Sequence, residues 1–252
     1  MSENTLRLYN DLAWLWPLWG DPSGPYADWC AFVTRLIKKY ARRELRTLLN
    51  MGCGGGKNAF NLKKAFQVTG IDISQPMLNL ARELNPEGTF LPGDMRDCSL
   101  GREFDAILVD DAISYMISRA ELAAVFQTAY RHLRVGGVMV VSPDDTTETF
   151  QQNRTRVSYA EAAAKPAHLD VVFIENDYDP DPADETYEGT IIYLIREAGR
   201  LRIETDHHLL GLFPLDAWRE ALREAGFEVY EALYSKERRE YVTFACVKPG
   251  TA

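Results

Sequence analysis

The stretch Thr47-Leu-Leu-Asn50-Met-Gly52-Cys53-Gly54-Gly-Gly56-Lys57, followed by Val68-Thr-Gly-Ile-Asp72-Ile73-Ser, sets the terms for this chain. An apolar run stops at a glycine cluster, helix-forming residues follow, and a second apolar run closes on an acid. That order is β-strand, tight turn, helix, β-strand, with a carboxylate where a ribose would lie. Glycine has no Cβ, so the backbone can turn sharply and come close to a ligand. The stretch therefore implies an α/β sheet with a nucleoside-containing ligand at its first turn.

The glycine spacing limits which nucleoside. A dinucleotide-binding turn has a glycine three residues after its second one, which lets the helix pack on the strand beneath a pyrophosphate. Counted from Gly52 and Gly54, that position is Lys57, so the pattern is Gly-x-Gly-x-Gly and a dinucleotide is disfavoured. Further apolar runs also end on polar groups. Leu91-Pro-Gly-Asp94-Met95 places an acid that can accept from an adenine amino group, and Phe104-Asp-Ala-Ile-Leu-Val-Asp110-Asp111 closes on two acids. His132 to Val141 reads as a helix end, a glycine stop and a buried strand. Strands alternating with helices to residue 142 imply parallel strands with right-handed crossovers. Ligands of such sheets bind beyond the C-terminal strand ends.

Apolar residues at helical spacing predict a helix from Tyr26 to about Ala41, another over Gln75–Leu84, and one launched by the capping sequence Ser118-Arg-Ala-Glu121. From about His168 the rhythm becomes that of strands: 171–176, 186–196 and 200–210 predict a three-stranded antiparallel insertion. Leu201 to Asp206 alternates between apolar and polar. His207 falls with Leu201 and Ile203, the face expected to be core, and His208 with Glu204 and Asp206. A helix over 215–225 and a closing hairpin over 227–247 complete the chain.

The 252 residues fit one α/β domain with an insertion, and 46% hydrophobic residues suffice for a core. A formal net charge of −9 opposes nucleic acid, whose phosphates need a basic groove. The four cysteines lie far apart with no Cys-x-x-Cys pair, which predicts reduced thiols and no metal site. The N-terminus has no signal-peptide pattern, and Leu12 to Trp19 is too short for a membrane span. A cytoplasmic protein with no membrane partner is expected, its tryptophan-rich N-terminal segment forming an aromatic flap over the cofactor cleft.

The ordered set Asn50-Met-Gly-Cys-Gly-Gly-Gly, Gly-Ile-Asp72-Ile-Ser, Gly-Asp94-Met95, Phe104 to Asp111 and Leu133-Arg-Val-Gly-Gly resembles the class I S-adenosylmethionine-dependent methyltransferases over roughly residues 45–143. The resemblance implies a Rossmann-like, doubly wound, mostly parallel seven-stranded sheet with an antiparallel β insertion after the fifth strand. It implies S-adenosylmethionine as cofactor, with Gly52, Gly54 and Gly56 along the methionine and ribose, Asp72 on the ribose, Asp94 and Met95 at the adenine, and Met77 packed against it. Tyr9, Cys53, Ile73 and Asp110 complete the candidate cofactor-binding set. Asn50 is a departure, since the family has an acid there; its amide keeps an acceptor but loses the charge. A carboxylate and a sulfonium suit free N–H groups and acidic strand ends.

The segment Asp206-His-His-Leu-Leu-Gly-Leu-Phe213, the helix after it and the Gly226-Phe-Glu-Val ending resemble the bacterial amino-sugar N-methyltransferases. In that group the inserted sheet covers the substrate pocket and can contribute to a homodimer. The implied divisions are 1–44 (flap and helix), 45–145 (cofactor core), 146–213 (insertion) and 214–252 (closing helix and hairpin). The implied reaction is methyl transfer to an amine or hydroxyl of a small-molecule acceptor. Asp111 is the first catalytic candidate, because two adjacent carboxylates can push one pKa up far enough to take a proton. Tyr115 can orient the acceptor, and His208 matches the histidine of the amino-sugar group, a residue type suited to proton transfer. A nicotinamide-dependent oxidoreductase, a non-catalytic S-adenosylmethionine-binding module and an RNA methyltransferase are the alternatives.

Overall fold

The computed structural model describes residues 6–160, 166–236 and 239–250. Strands β1 (Thr47–Met51), β2 (Gln67–Asp72), β3 (Thr89–Pro92), β4 (Phe104–Val109) and β5 (Leu133–Val141) run parallel. Strands β6 (Arg154–Tyr159), β7 (Leu169–Tyr178), β8 (Thr186–Glu197) and β9 (Arg200–Gly211) form a separate antiparallel sheet in chain order. Strands β10 (Glu228–Lys236) and β11 (Arg239–Val247) return to the first sheet, which reads β10-β11-β5-β4-β1-β2-β3.

The parallel strands are apolar on both sides because both sides are covered. On one face, helices α1 (Pro25–Tyr40), α2 (Lys57–Leu62) and α3 (Gln75–Leu84) bury Val33, Ile37, Leu62 and Leu78 against Leu48, Leu108 and Val140. On the other, α4 (Arg119–His132) and α5 (Leu215–Glu224) bury Val125, Phe126, Trp218 and Leu222 against Leu49, Ile107 and Met139. Neighbours Leu48 and Leu49 thus serve opposite layers, and each fully buried leucine contributes about 1.5–3 kcal/mol. Helix starts follow local chemistry: Ser74 Oγ accepts from Met77 N at 3.1 Å, and Ser118 Oγ from Glu121 N at 3.2 Å. No helix among the described residues is long and apolar enough to cross a membrane.

Three expectations need correction. The second sheet has four strands rather than three: Arg154-Thr-Arg-Val-Ser-Tyr is a largely exposed edge strand, so no apolar alternation marks it. β5 begins at Leu133 and runs through Gly136 and Gly137 instead of after them. The faces of β9 are also reversed. Leu201, Ile203 and His207 are exposed, while Asp206 and His208 are buried. On β9 the inward positions are Glu204, Asp206 and His208, so apolar character marks the outer face of that strand.

Two short 3-10 turns, Arg7–Tyr9 and Ala13–Leu18, precede α1. Their Leu8, Leu12, Leu15 and Leu18 form a third core with Leu169, Val171, Phe173, Ile191, Tyr193 and Ile195 of the second sheet. Trp19 stacks on Phe173 at 4.8 Å between centroids. These turns join the second sheet to the C-terminal edge of the first.

Candidate active site

The turn after β1 requires its glycines for close approach. Gly52 has φ +68°, and a Cβ there would lie 2.3 Å from the Ala112 methyl carbon. At Gly55 a Cβ would lie 2.3 Å from Cδ1 of Trp16, so the indole rests directly on the turn. Lys57 follows at the first position of α2. Its ammonium donates to the carbonyl of Trp16 at 2.8 Å and to that of Trp19, and lies 4.8 Å from the centre of the Trp16 ring. The residue that departs from the dinucleotide pattern therefore fastens the N-terminal turns onto the glycine loop.

At the end of β2, Asp72 is held by main-chain donors: Gly54 N to Oδ2 at 2.8 Å and Ser74 N to Oδ1 at 2.9 Å. Burial lifts its carboxyl above the ordinary range, against the pull of these N–H groups. Each oxygen keeps a lone pair for a ribose hydroxyl. Ile73 is 74% exposed and Leu91 38%, an uncovered apolar wall beside the acid. Asn50 is wholly buried, and neither end of its amide has a hydrogen-bond partner among the described residues. An oriented carboxylate, a bare apolar wall and an unsatisfied amide at one strand edge fit an adenosyl ligand with a polar tail.

Across the edge lies a cavity of about 220 Å³. Tyr9, Trp16 and Trp19 close it from the N-terminal turns, Asp111 and Tyr115 from the segment after β4, Asp144 from the end of β5, and Arg156, Glu175, Asp177, Tyr187 and His208 from the second sheet. A hydrogen-bonded chain crosses it. Tyr9 Oη is 2.8 Å from Tyr115 Oη, and Tyr115 Oη is 2.7 Å from His208 Nδ1. On the far side of the ring, His208 Nε2 lies 3.1 Å from Asp206 Oδ2, in ion-pair range but out of line for a hydrogen bond. Leu8 N donates to the same oxygen at 2.7 Å. Burial pushes Asp206 up, yet these partners outweigh it and hold the carboxyl below its usual value. Burial pushes both tyrosine hydroxyls well above theirs. A larger cleft of about 580 Å³ lies at the opposite edge, where β1 to β4 begin, away from every one of these groups.

The structure thus brings Tyr9, Asp111, Tyr115 and His208 together, with Asp72 and Ile73 at the same edge. The remaining candidates make contacts within the protein. Asp110 turns inward: its Oδ2 accepts from Trp29 Nε1 at 3.1 Å and Asn58 Nδ2 at 2.7 Å, and burial followed by neighbouring Asp111 drives its carboxyl up. Asp94 forms an ion pair with Arg96 at 2.6 Å. Cys53 gives its N–H to Ile71 O at 2.9 Å and packs its thiol towards Gly70. Met77 is fully buried in α3. Met95 is also buried, its methyl 2.7 Å from where a Gly52 Cβ would stand, and Gly56 has φ +81° at the start of α2. Asp144 was overlooked, although Val141-Ser-Pro-Asp144-Asp145 repeats the signal of an apolar strand closing on paired acids. Arg156 and Asp177 carry no such signal.

Residues 48–137 match the profile of a family described as a methyltransferase domain. The dTDP-3-amino-3,6-dideoxy-alpha-D-glucopyranose N,N-dimethyltransferase of Streptomyces fradiae is 31% identical over 208 residues, 81% of this chain and 76% of the relative. Among solved structures, Streptomyces venezuelae DesVI superposes with a TM-score of 0.79 at 26% identity, covering 95% of this chain and 96% of the other. The sugar N-methyltransferase KedS8 from Streptoalloteichus gives 0.78 at 27% identity, covering 95% and 92%. The chain belongs to the class I S-adenosylmethionine-dependent methyltransferases, in the group that includes the amino-sugar N-methyltransferases. It is a methyltransferase, and S-adenosylmethionine is its cofactor.

Proposed function

We propose that this enzyme methylates the amine of a small acceptor, an amino sugar by analogy with its relatives' names, held in the cavity between the first sheet's C-terminal edge and the inner face of the second sheet. The observation that carries this reading is the convergence, at one edge, of an apolar wall beside Asp72 with the chain Tyr9–Tyr115–His208. In the proposed arrangement Asp72 holds the ribose, Ile73 and Leu91 flank the base, Asp94 and Met95 meet its edge, and the glycine turn with Asn50 receives the methionine portion. S-adenosylmethionine supplies an electrophilic methyl group when bound.

The acceptor enters as an ammonium and gives up a proton before its lone pair bonds the methyl carbon and the methyl–sulfur bond breaks. Tyr9 and Tyr115, whose hydroxyls resist ionisation, relay that proton as neutral groups. His208 Nδ1 receives it, and ionised Asp206 on the other side of the ring stabilises the imidazolium. Asp111 stays in reach of the acceptor nitrogen. Alignment in so enclosed a space supplies much of the rate, since well-oriented reactants gain about 7–11 kcal/mol. The N-terminal turns act as the lid over both ligands.

The outer face of the second sheet carries exposed Val157, Tyr159, Leu201, Ile203 and Leu209, which supports a homodimer through that face. Light scattering at tens of micromolar tests this, and a monomer there rejects it. A net charge of −9 supports an acceptor other than nucleic acid, and four free thiols support a cytoplasmic location. The central test is calorimetric titration with S-adenosylhomocysteine. Replacing Asp72 by alanine removes two charge-assisted bonds worth about 1.5–3 kcal/mol each, a loss of roughly 10²- to 10⁴-fold in affinity. Unchanged affinity in the variant would remove the basis of this assignment.

A further inference from the structure

The charges around the acceptor cavity, taken with the methyltransferase reading on which this inference rests, narrow what can enter it. Four carboxylates line the cavity (Asp111, Asp144, Glu175 and Asp177) against one guanidinium, that of Arg156. That guanidinium is already engaged. Its NH1 donates to Asp177 Oδ2 at 2.7 Å and its NH2 to Glu175 Oε2 at 3.1 Å. The neighbouring Arg154 spans Asp177 and Asp145, and Arg239 also pairs with Asp145. Asp144 makes no ion pair among the described residues, although it lines the cavity.

Aromatic rings form much of the remaining wall, Tyr9, Trp19, Tyr115 and Tyr187 among them. The faces of such rings attract cations. Two further rings at this wall already hold one: the Lys57 ammonium lies 4.8 Å from the Trp16 centroid and 5.4 Å from that of Tyr26. Carboxylates interleaved with aromatic faces suit an ammonium, including one that becomes bulkier and less hydrated with each methyl it gains. A diphosphate would meet the reverse. It would have to pull Arg156 away from two carboxylates and then lie beside the freed acids, whose repulsion is strong where water is excluded.

We propose that the acceptor is a cationic amine on a polar, phosphate-free scaffold (a free amino sugar or polyamine) and not the nucleotide-linked sugar of the relatives' names, with Asp144 as the residue that selects for it. Burial first, then Asp111, Asp110 and Asp145, hold the Asp144 carboxyl well above its usual value. An arriving ammonium is the partner that lets it ionise.

The experiment is calorimetric titration of the S-adenosylhomocysteine-loaded full chain. The probes are free 3-amino-3,6-dideoxyglucose, its dTDP-linked form, glucosamine and spermidine. At least one free amine should bind tenfold or more tightly than the dTDP-linked sugar. Asp144→Asn should weaken that amine at least tenfold and leave S-adenosylhomocysteine affinity unchanged. The proposal is overturned if the dTDP-linked sugar binds as tightly as the best free amine, if no free amine binds, or if Asp144→Asn leaves amine affinity intact. The comparison among probes uses the wild-type chain, so it holds even if the variant folds poorly. Failure of the wild type to bind S-adenosylhomocysteine would instead bring down the underlying reading of the site.

Discussion

Replacing Gly55 by alanine measures how closely the N-terminal segment sits on the glycine turn. The new methyl carbon would lie 2.3 Å from Trp16 Cδ1 and 2.5 Å from Nε1. Unstrained heavy atoms keep about 3.5–4.0 Å, so the indole has to withdraw by roughly an ångström or more. The backbone at Gly55 lies outside the left-handed region, so alanine meets no conformational penalty and the cost is steric alone. Withdrawal gives up the Lys57 contact at 4.8 Å and the packing against Tyr9 at 6.0 Å. Together these amount to about 1–3 kcal/mol. In a chain of this length each kcal/mol shifts Tm by about 2–4 °C, so thermal unfolding followed by circular dichroism resolves the effect. Gly55→Ala should lose stability, and adding Trp16→Ala should remove most of that loss, with a coupling of at least about 1 kcal/mol across the double-mutant cycle. Simple additivity of the two changes, or a Gly55→Ala variant as stable as the parent, would refute the contact.

Asp105 receives N–H groups from Arg46 and Thr47 and pairs with Arg43 at 2.9 Å and Arg134 at 3.0 Å, bonds that outweigh its burial and bring its carboxyl from 3.8 to about 2. A depressed carboxylate stabilises the fold fully above its unfolded pKa and ceases to do so as pH falls through the folded one. Asp105→Asn should therefore cost about 1–2 kcal/mol in urea unfolding at pH 7, the gap from wild type closing between about pH 4 and pH 2. Tyr115→Phe interrupts the proposed relay and should lower kcat by about 10²-fold without moving the affinity for S-adenosylhomocysteine; a shift confined to that affinity would place Tyr115 with the cofactor instead. Ile73→Asp sets a charge on the proposed base wall beside Asp72 and should weaken S-adenosylhomocysteine roughly tenfold or more in calorimetry, with Tm unchanged because the side chain is 74% exposed.

The parallel half of the fold was legible because both its signals are local: apolar runs of strand length, and polar residues at their ends. The helix bounds Gln75–Leu84 and 215–225 and the helix start at Ser118 agree with the structure to within a residue or two. The second sheet was harder to read for a physical reason. Its inner face meets the hydrophobic N-terminal turns at one end and a charged cavity at the other, so polarity along β9 does not report burial. That is why His207 and His208 exchanged the environments their neighbours suggested, while the candidacy of His208 rested on resemblance. Trp16 on Gly55, and the pairing of Arg156 with Asp177, depend on residues far apart in the chain. No pattern of spacing encodes them.

Lys57 stands where a pyrophosphate-binding turn would need glycine, and the same ammonium anchors the carbonyls of Trp16 and Trp19. Clearing that position to admit a phosphate would also unfasten the roof of the proposed acceptor cavity. Exchanging the cofactor of this enzyme is consequently not a local redesign: the choice of ligand and the means of enclosing it hang on one nitrogen atom.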